Sequence, residues 1–172
     1  MTTIRIATKE EIRSLSRKLL RLLENREGQI YQENVAKFGI PDEYVKKTFS
    51  EEEMLEAATT AQAVFYLALE GREIVGFAEA VKQDENTVEL DRIIVFPEST
   101  RKGIGTELLE KAIIDQKQRG CTIMVVRAGK EETHARKFYE KNGFEQQSEA
   151  EVETPWGRKV SLVTYKLDLK KN

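Results

Sequence analysis

The stretch from Thr87 to Leu109 constrains the fold more than any other part of the chain. An apolar run ends at Val95, a loop follows, and Gly103 and Gly105 then precede a segment with helical periodicity. This order predicts a strand, a glycine-bearing turn and the N-terminus of a helix. The first N–H groups of a helix lack intrahelical partners and carry partial positive charge, and glycine lets a ligand approach the backbone. The stretch therefore predicts a phosphate site at residues 101–106.

Two common phosphate-binding devices are excluded by the spacing of the glycines. A Walker A loop needs G-x-x-x-x-G-K-[ST], and the chain contains no such string. The dinucleotide fingerprint needs a third glycine where Leu108 stands. What remains is R-K-G-I-G, in which Arg101 and Lys102 add positive charge, after a strand and a V-x-P step.

The elements around this stretch predict an α+β fold of three layers. Thr8 and Glu11 form a capping box that opens an amphipathic helix, and residues 29–62 are predicted to form further helices. Residues 63–96 alternate as an antiparallel meander of three strands. The helix after the glycines leads into a short apolar strand at 122–126, which implies a parallel pair of strands. A last helix and two strands complete one domain over residues 1–172, with a mixed central sheet of about seven strands flanked by helices.

Composition excludes several classes of partner. The net charge is −2, which gives no electrostatic footprint for nucleic acid. The single cysteine, Cys121, excludes an internal disulfide and fits a reducing compartment. No apolar run is long enough for a membrane helix, and the first residues lack an apolar signal core. We therefore expect a cytoplasmic protein that interacts with neither a membrane nor nucleic acid, and residue types that suggest no metal site.

A second motif, A-x-x-x-Y-x-K-x-G-F, runs from Ala135 to Phe144. Together with the R-K-G-I-G turn and the order of elements, it resembles the GNAT superfamily of N-acetyltransferases over essentially the whole chain. The segment from Glu89 to Glu98 also resembles, more loosely, the spermidine/spermine acetyltransferase type. Two positions depart from the family pattern. Thr100 stands where Gln or Arg is usual, and Glu132 stands where the family often has Asn.

The resemblance implies acetyl-CoA as cosubstrate and an amine that attacks its thioester directly in a ternary complex. It assigns backbone contacts with the pantetheine arm to one strand and contacts with the pyrophosphate to the turn. The implied cofactor-binding residues are Ile93, Ile94, Val95, Arg101, Lys102, Gly103, Ile104, Gly105, Thr106, Glu132, Ala135 and Lys141. The acceptor is expected to be a polyamine, a small amine metabolite or a protein N-terminus, and a homodimer is expected by resemblance alone.

Two catalytic residues follow from the same resemblance. Glu89 matches a strand glutamate that serves as general base in some members, and period two places it on one strand face with Asp91, Ile93 and Val95. Tyr139 matches the tyrosine that protonates the leaving thiolate. The alternatives are a structural carboxylate for Glu89 and a buried helix tyrosine for Tyr139.

Other features leave alternatives open. Acidic residues outnumber basic ones from Glu24 to Thr60, which indicates either solvated helix faces or a wall that attracts a cationic amine. His134 is interpreted as incidental, Cys121 as a small buried residue, and Trp156 as either a cover on the core or part of the acceptor pocket. A GNAT-fold module that binds acyl-CoA as a sensor without turnover is the alternative function.

Overall fold

The structure is a computed structural model that describes residues 1–60 and 62–171. Within these ranges the strands are Thr2–Ile6 (β1), Ala63–Glu70 (β2), Glu73–Lys82 (β3), Thr87–Val95 (β4), Ile123–Gly129 (β5), Glu145–Glu153 (β6) and Lys159–Asp168 (β7). The helices are Lys9–Glu24 (α1), Gln29–Asn34 (α2), Asp42–Thr48 (α3), Glu51–Thr59 (α4), Ile104–Gln118 (α5) and Thr133–Lys141 (α6). Short 3-10 helices cover Ala36–Phe38, Pro97–Ser99 and Leu169–Lys171. No helix in the described ranges is long and apolar enough to cross a membrane.

The seven strands of the described residues form one mixed sheet in the order β1-β2-β3-β4-β5-β7-β6. All neighbouring strands are antiparallel except β4 and β5, which are parallel. This confirms the predicted fold class and the crossover through the helix that follows the glycines.

Each face of the sheet packs against helices and forms its own hydrophobic core. On one face, the first core joins α5 and α6 to alternate residues of the central strands. On the other face, the second core joins α1, α2, α3 and α4 to the intervening residues of the strands, such as Phe65, Leu67 and Phe77. Helix α1 begins with the predicted capping box, in which Thr8 and Glu11 each accept a hydrogen bond from the backbone N–H of the other residue. The sheet thus separates two helical layers, and its central strands pack against both of them.

A β-bulge interrupts β4 at Asp91. Glu79 on β3 pairs with Arg92, and the next residue, Ala80, pairs with Leu90, so Asp91 has no opposing residue. The bulge reverses the alternation that the sequence predicts. Ile93 and Val95 pack against the first core, whereas Val81, the residue opposite Glu89, packs against the second.

The prediction that Glu89 shares a strand face with Ile93 and Val95 is therefore wrong. Period two holds only in an uninterrupted strand, and one extra residue moves every later side chain to the opposite face. Glu89 lies on the face covered by α1 to α4.

Strands β4 and β5 separate after a short paired segment. Their register covers only Thr87 to Glu89 against Ile123 to Val125. Beyond it, β5 continues to pair with β7 as far as Gly129. Within the described residues, the second half of β4 thus has no strand on its β5 side. A wedge-shaped gap opens in the sheet directly before the glycine turn.

Candidate active site at the gap between strands β4 and β5

The turn after β4 forms a concave array of backbone N–H groups. Arg101 has a φ of 66° and Gly103 a φ of 78°, both in the left-handed region. Alternation of this conformation with its neighbours turns successive N–H groups toward one point, an arrangement that binds anions. No backbone hydrogen bond within the described residues engages the N–H of Arg101, Lys102 or Gly103. The phosphate site predicted from the sequence comprises these groups and the first turn of α5.

Side chains contribute less to this turn than its backbone does. Arg101 is exposed and Lys102 lies 3.6 Å from the carboxylate of Glu70. Ile104 is buried in the first core, so only its main chain faces the turn, and Thr106 is half-buried. The hydroxyl of Thr100 donates to the carbonyl oxygen of Pro97 over 3.0 Å, which closes the preceding 3-10 turn. The side chain of Thr100 therefore stabilises the loop.

Gly105 is not required by packing within the protein. A Cβ there would lie 3.7 Å from Phe138 and 3.8 Å from Val95, which are ordinary contacts. Its φ is not positive, so the backbone does not require glycine either. The remaining reason for a glycine is close approach of a ligand to the first turn of α5. Because Val95 and Phe138 flank it, this turn lies next to the gap.

The amides of β4 that face the gap are those of Ile93 and Val95. The N–H of Phe96 donates to Val75 on β3 over 2.9 Å. N–H groups alternate along a strand, so those of Ile93 and Val95 point away from β3. The backbone of Ile94 faces β3 instead, since its carbonyl oxygen lies 2.9 Å from the position a Cβ would take on Gly76. The geometry thus supports gap contacts for Ile93 and Val95 and gives Ile94 no such contact.

Tyr139 lies on α6 in the first core, next to Phe138, the residue that flanks Gly105. Its ring is buried and makes edge contacts with Phe138 and Phe144 at centroid distances of 5.5 and 5.7 Å. Its hydroxyl makes no hydrogen bond to any residue in the described part of the chain. Burial, with the nearby negative charge of Glu132, raises the pKa of Tyr139, so the phenol stays protonated at neutral pH. It is an available proton donor.

The three other predicted residues in this part of the chain lie on α6 or at its start. Glu132 accepts a hydrogen bond from the N–H of Gly129 over 2.7 Å and pairs with Lys37 at 3.5 Å. Its carboxylate therefore stabilises the end of β5. Ala135 packs against the first core, and Lys141 is exposed in the last turn of α6.

Both carboxylate oxygens of Glu89 accept hydrogen bonds from neighbouring side chains. The Nε and Nη2 atoms of Arg127 on β5 donate to them over 3.1 and 3.2 Å, and Nε2 of Gln83 donates over 3.0 Å. Glu89 is buried and the arginine is half-exposed. This ion pair joins β4 to β5 where they begin to diverge.

Sequence reasoning missed Glu79 and Arg92, which lie side by side beyond the bulge. The side chain of Glu79 is 13% exposed, and its Oε1 lies 3.8 Å from Nε of Arg92. Burial raises the pKa of Glu79 to about 7; Arg92 opposes the rise and Asp91 adds to it. The signal for Glu79 is a lone carboxylate in the apolar segment G-F-A-E-A-V. The pairing with Arg92 depends on the bulge, which the sequence does not reveal.

The remaining residues singled out in the sequence have structural positions. Nε1 of Trp156 donates to the carbonyl oxygen of Phe38 over 3.0 Å, and its ring contacts Tyr44 edge-on at 5.4 Å. Trp156 thus anchors the β6–β7 hairpin on the helical layer. His134 is exposed, Cys121 is buried, and no group of His, Cys, Asp and Glu in the described ranges could hold a metal ion.

Known structures share this fold at low sequence identity. The structure of yncA from Salmonella typhimurium with its cofactor acetyl-CoA superposes with a TM-score of 0.75 and 19% identity, covering 99% of this chain and 95% of that one. The paia N-acetyltransferase of Thermoplasma acidophilum, solved with coenzyme A, gives 0.67 and 20%, covering 97% and 99%. Identities this low establish a common fold and no more.

Sequence comparisons identify the family. The uncharacterized N-acetyltransferase MJ1207 of Methanocaldococcus jannaschii is 37% identical over 81 residues, which are 47% of this chain and 34% of that protein. The chain thus spans about a third of the length of this relative. Residues 28–144, more than half of the chain, match the acetyltransferase (GNAT) family. The protein belongs to the acetyltransferase (GNAT) family.

Proposed function

We propose that the protein is an N-acetyltransferase that takes the acetyl group from acetyl-CoA and transfers it to a primary amine. The observation that carries this proposal is the array of N–H groups at Arg101 to Gly103, which no backbone hydrogen bond engages among the described residues and which follows the point where β4 and β5 separate. Related folds with bound acetyl-CoA and coenzyme A add support. A cytoplasmic location and a homodimer stay predictions; β6 lies at the sheet edge, where a second copy could pair.

The residues present fit coenzyme A. The turn from Arg101 to Thr106 would hold the diphosphate through N–H groups, and Gly105 gives it close access to α5. The amides of Ile93 and Val95 would hold the pantetheine arm inside the gap through main-chain hydrogen bonds. An added strand would pair with the open side of β4 in the same way. When bound, the cosubstrate supplies an activated acetyl thioester.

The amine acceptor needs a base, and we assign this role to Glu79 ahead of Glu89. An amine that is cationic at neutral pH must lose a proton before it can attack. A pKa of about 7 suits Glu79 to accept that proton, because general bases work best near the operating pH. Glu89, with both oxygens engaged by Arg127 and Gln83, is the second candidate and fixes the geometry of the splayed strands.

Tyr139 is the proposed acid. As the N–C bond forms and the C–S bond breaks, its hydroxyl would protonate the departing sulfur. Because this buried phenol has no hydrogen-bond partner among the described residues, its proton would be available for transfer to the sulfur. Charge that develops on the acetyl oxygen would be stabilised by the N–H groups of Ile93 or Val95.

The proposal is tested by release of the coenzyme A thiol from acetyl-CoA in the presence of a panel of amines. Saturable, amine-dependent release is the expected result. If the protein binds acetyl-CoA and releases no thiol with any amine of a broad panel, the enzymatic assignment fails and the acyl-CoA sensor is favoured instead.

A further inference from the structure

A cavity of about 320 Å³ opens on the second-core face beside the bulge in β4. Helices α3 and α4 and strands β3 and β4 form its walls. Its apolar lining consists of Tyr44, Phe49, Met54, Ala57 and Phe77, and its charged lining of Lys47, Glu53, Glu79 and Arg92. A site of this size that combines apolar walls with a few polar groups suits one small molecule.

The cavity lies next to the position where the acetyl group would be delivered. Arg92 immediately precedes Ile93, whose amide faces the gap. The side chain of Arg92 points to the second-core face of the sheet, opposite to the side chain of Ile93. The amide of Ile93 lies in the plane of the sheet and faces the gap. An acceptor in this cavity would reach the gap from the face opposite α5.

The guanidinium of Arg92 has donors that the protein does not use. It lies 3.4 Å from Asp91 and 3.8 Å from Glu79, and its carbon is 4.7 Å from the centre of the Phe49 ring. Within the described residues, however, it makes no hydrogen bond to either carboxylate. The side chain is 26% exposed and lines the cavity. A planar fork of this kind matches a carboxylate in two-point contact.

The charges of the cavity fit a zwitterion better than a dication. Glu79 can take an ammonium group, and Arg92 beside it can take a carboxylate. In an α-amino acid these two groups share one carbon, so they are as close together as the two protein groups at 3.8 Å. A polyamine would instead bring a second cationic group toward Arg92 and Lys47. A peptide N-terminus would present a neutral amide where the carboxylate would be.

We propose that the acceptor is a free α-amino acid with an apolar side chain, whose carboxylate is bound by Arg92, whose amine is held by Glu79, and whose side chain packs against Phe49, Met54 and Phe77. This proposal rests on the proposed acetyl transfer. The ammonium group first gives one proton to Glu79, and the neutral amine then attacks the acetyl carbon. The N–C bond forms, the C–S bond breaks and Tyr139 protonates the sulfur, while the second proton lost by the nitrogen restores the Tyr139 hydroxyl through solvent. Glu79 releases its proton to solvent. The products are an N-acetyl amino acid and coenzyme A.

The test compares matched acceptors in the thiol-release assay. Leucine, methionine and phenylalanine are each set against their amides and their decarboxylated amines, with spermidine as a further acceptor. We expect kcat/KM to be about 10–100-fold higher for the free amino acids, the range for a hydrogen-bonded pair with a charged partner. Equal or higher values for the decarboxylated amines or spermidine would overturn the proposal and leave acetyl transfer intact.

Variants of Arg92 test whether this side chain causes the preference for free amino acids over amines. Arg92→Gln is expected to raise KM for the amino acids and to abolish their advantage over the amines, and Arg92→Lys to restore part of it. Arg72→Gln, in the exposed turn between β2 and β3, is the control and should preserve the ratio. Circular dichroism checks the fold of each variant. An unchanged ratio in folded Arg92→Gln and Arg92→Lys would refute the role of Arg92.

A binding measurement separates failure of this proposal from failure of catalysis. Trp156 is the single tryptophan of the chain and contacts Tyr44, which lines the cavity. Leucine or methionine, added with coenzyme A present, should change its fluorescence in a saturable way, and the decarboxylated amines should bind at least about tenfold more weakly. If this difference is found without thiol release, the amino-acid site stands and the enzymatic assignment fails. If both probes bind equally, the proposed site is wrong.

Discussion

Replacing Glu79 by glutamine should stabilise the protein at alkaline pH. Burial raises the pKa of this carboxyl to about 7 from an ordinary value of 4.5. In the unfolded chain the group loses its proton near pH 4.5, whereas in the folded chain it holds the proton until about pH 7. The folded state therefore binds more protons between these values, and the free energy of unfolding falls as pH rises through this window. Glutamine stays neutral throughout.

The size of the effect follows from the two pKa values. They differ by about 2.5, and each pKa unit corresponds to about 1.4 kcal/mol, so the upper bound is about 3 kcal/mol. The charges around the group are Arg92 and Asp91 on its own sheet and Lys47 and Glu53 on the opposing helices. All four are present in both proteins, so their own titration largely cancels in the difference between wild type and variant.

The assay is urea unfolding of the wild type and the Glu79→Gln variant at pH 4 and pH 8. We expect near-equal free energies of unfolding at pH 4 and a more stable variant at pH 8, by up to about 3 kcal/mol. Glu89→Gln is the matched control, and we expect it to change stability at pH 8 in the opposite direction. Its carboxylate accepts hydrogen bonds from Arg127 and Gln83, so the control should lose about 1 kcal/mol at pH 8.

A Glu79→Gln variant that is no more stable than wild type at pH 8, or whose difference from wild type does not change with pH, would refute the argument. The same variant tests catalysis. Acetyl transfer by the wild type should rise about tenfold per pH unit below pH 7, and Glu79→Gln should lower kcat by about 10²–10⁴-fold and remove this pH dependence. Should Glu89→Gln produce that kinetic change instead, Glu89 is the base.

Four further substitutions test other parts of the structure. Tyr139→Phe should lower kcat in the thiol-release assay at nearly unchanged affinity for acetyl-CoA, since the hydroxyl has no structural hydrogen bond within the described residues; normal turnover would remove the acid role. Gly103→Val should weaken acetyl-CoA binding more than tenfold in calorimetry, because the φ of 78° at this position is costly for a β-branched residue. Arg101→Ala should weaken the same binding at most about fivefold. The reverse order would mean that side chains hold the phosphates. Trp156→Phe removes the hydrogen bond to Phe38 and should lower stability by about 1 kcal/mol in urea unfolding; an unchanged midpoint would show that the hairpin is held by other contacts.

The sequence was sufficient to predict the fold because its strongest signals are local. The capping box at Thr8, the alternating strands and the glycines at 103 and 105 each predict their own element, and the structure confirms them. The segment from Ser50 to Glu53 has the same S/T-x-x-E pattern but forms only half of a capping box, since Ser50 accepts from the N–H of Glu53 without the reciprocal bond.

The acceptor side of the site depends on features that a sequence pattern does not contain. The bulge at Asp91 moves Ile93 and Val95 to the face opposite Glu89, and no periodicity announces an extra residue in a strand. It also brings Glu79 and Arg92, from different strands, to one cavity wall. The cofactor side is built from consecutive residues and is visible in the sequence, whereas the acceptor side is built from residues far apart in the chain.

Calorimetric titration with coenzyme A and with pantetheine tests most directly whether the N–H groups of the glycine turn bind the diphosphate of the cosubstrate. The two ligands share the arm that would lie in the gap, and coenzyme A adds the diphosphate and the adenosine 3′-phosphate beyond it. The Gly103→Val variant therefore identifies the part of the difference that comes from the turn. We predict that coenzyme A binds at least about 100-fold more tightly to the wild type and that Gly103→Val removes most of this difference. Equal affinity for the two ligands, or no heat with coenzyme A, would contradict the account.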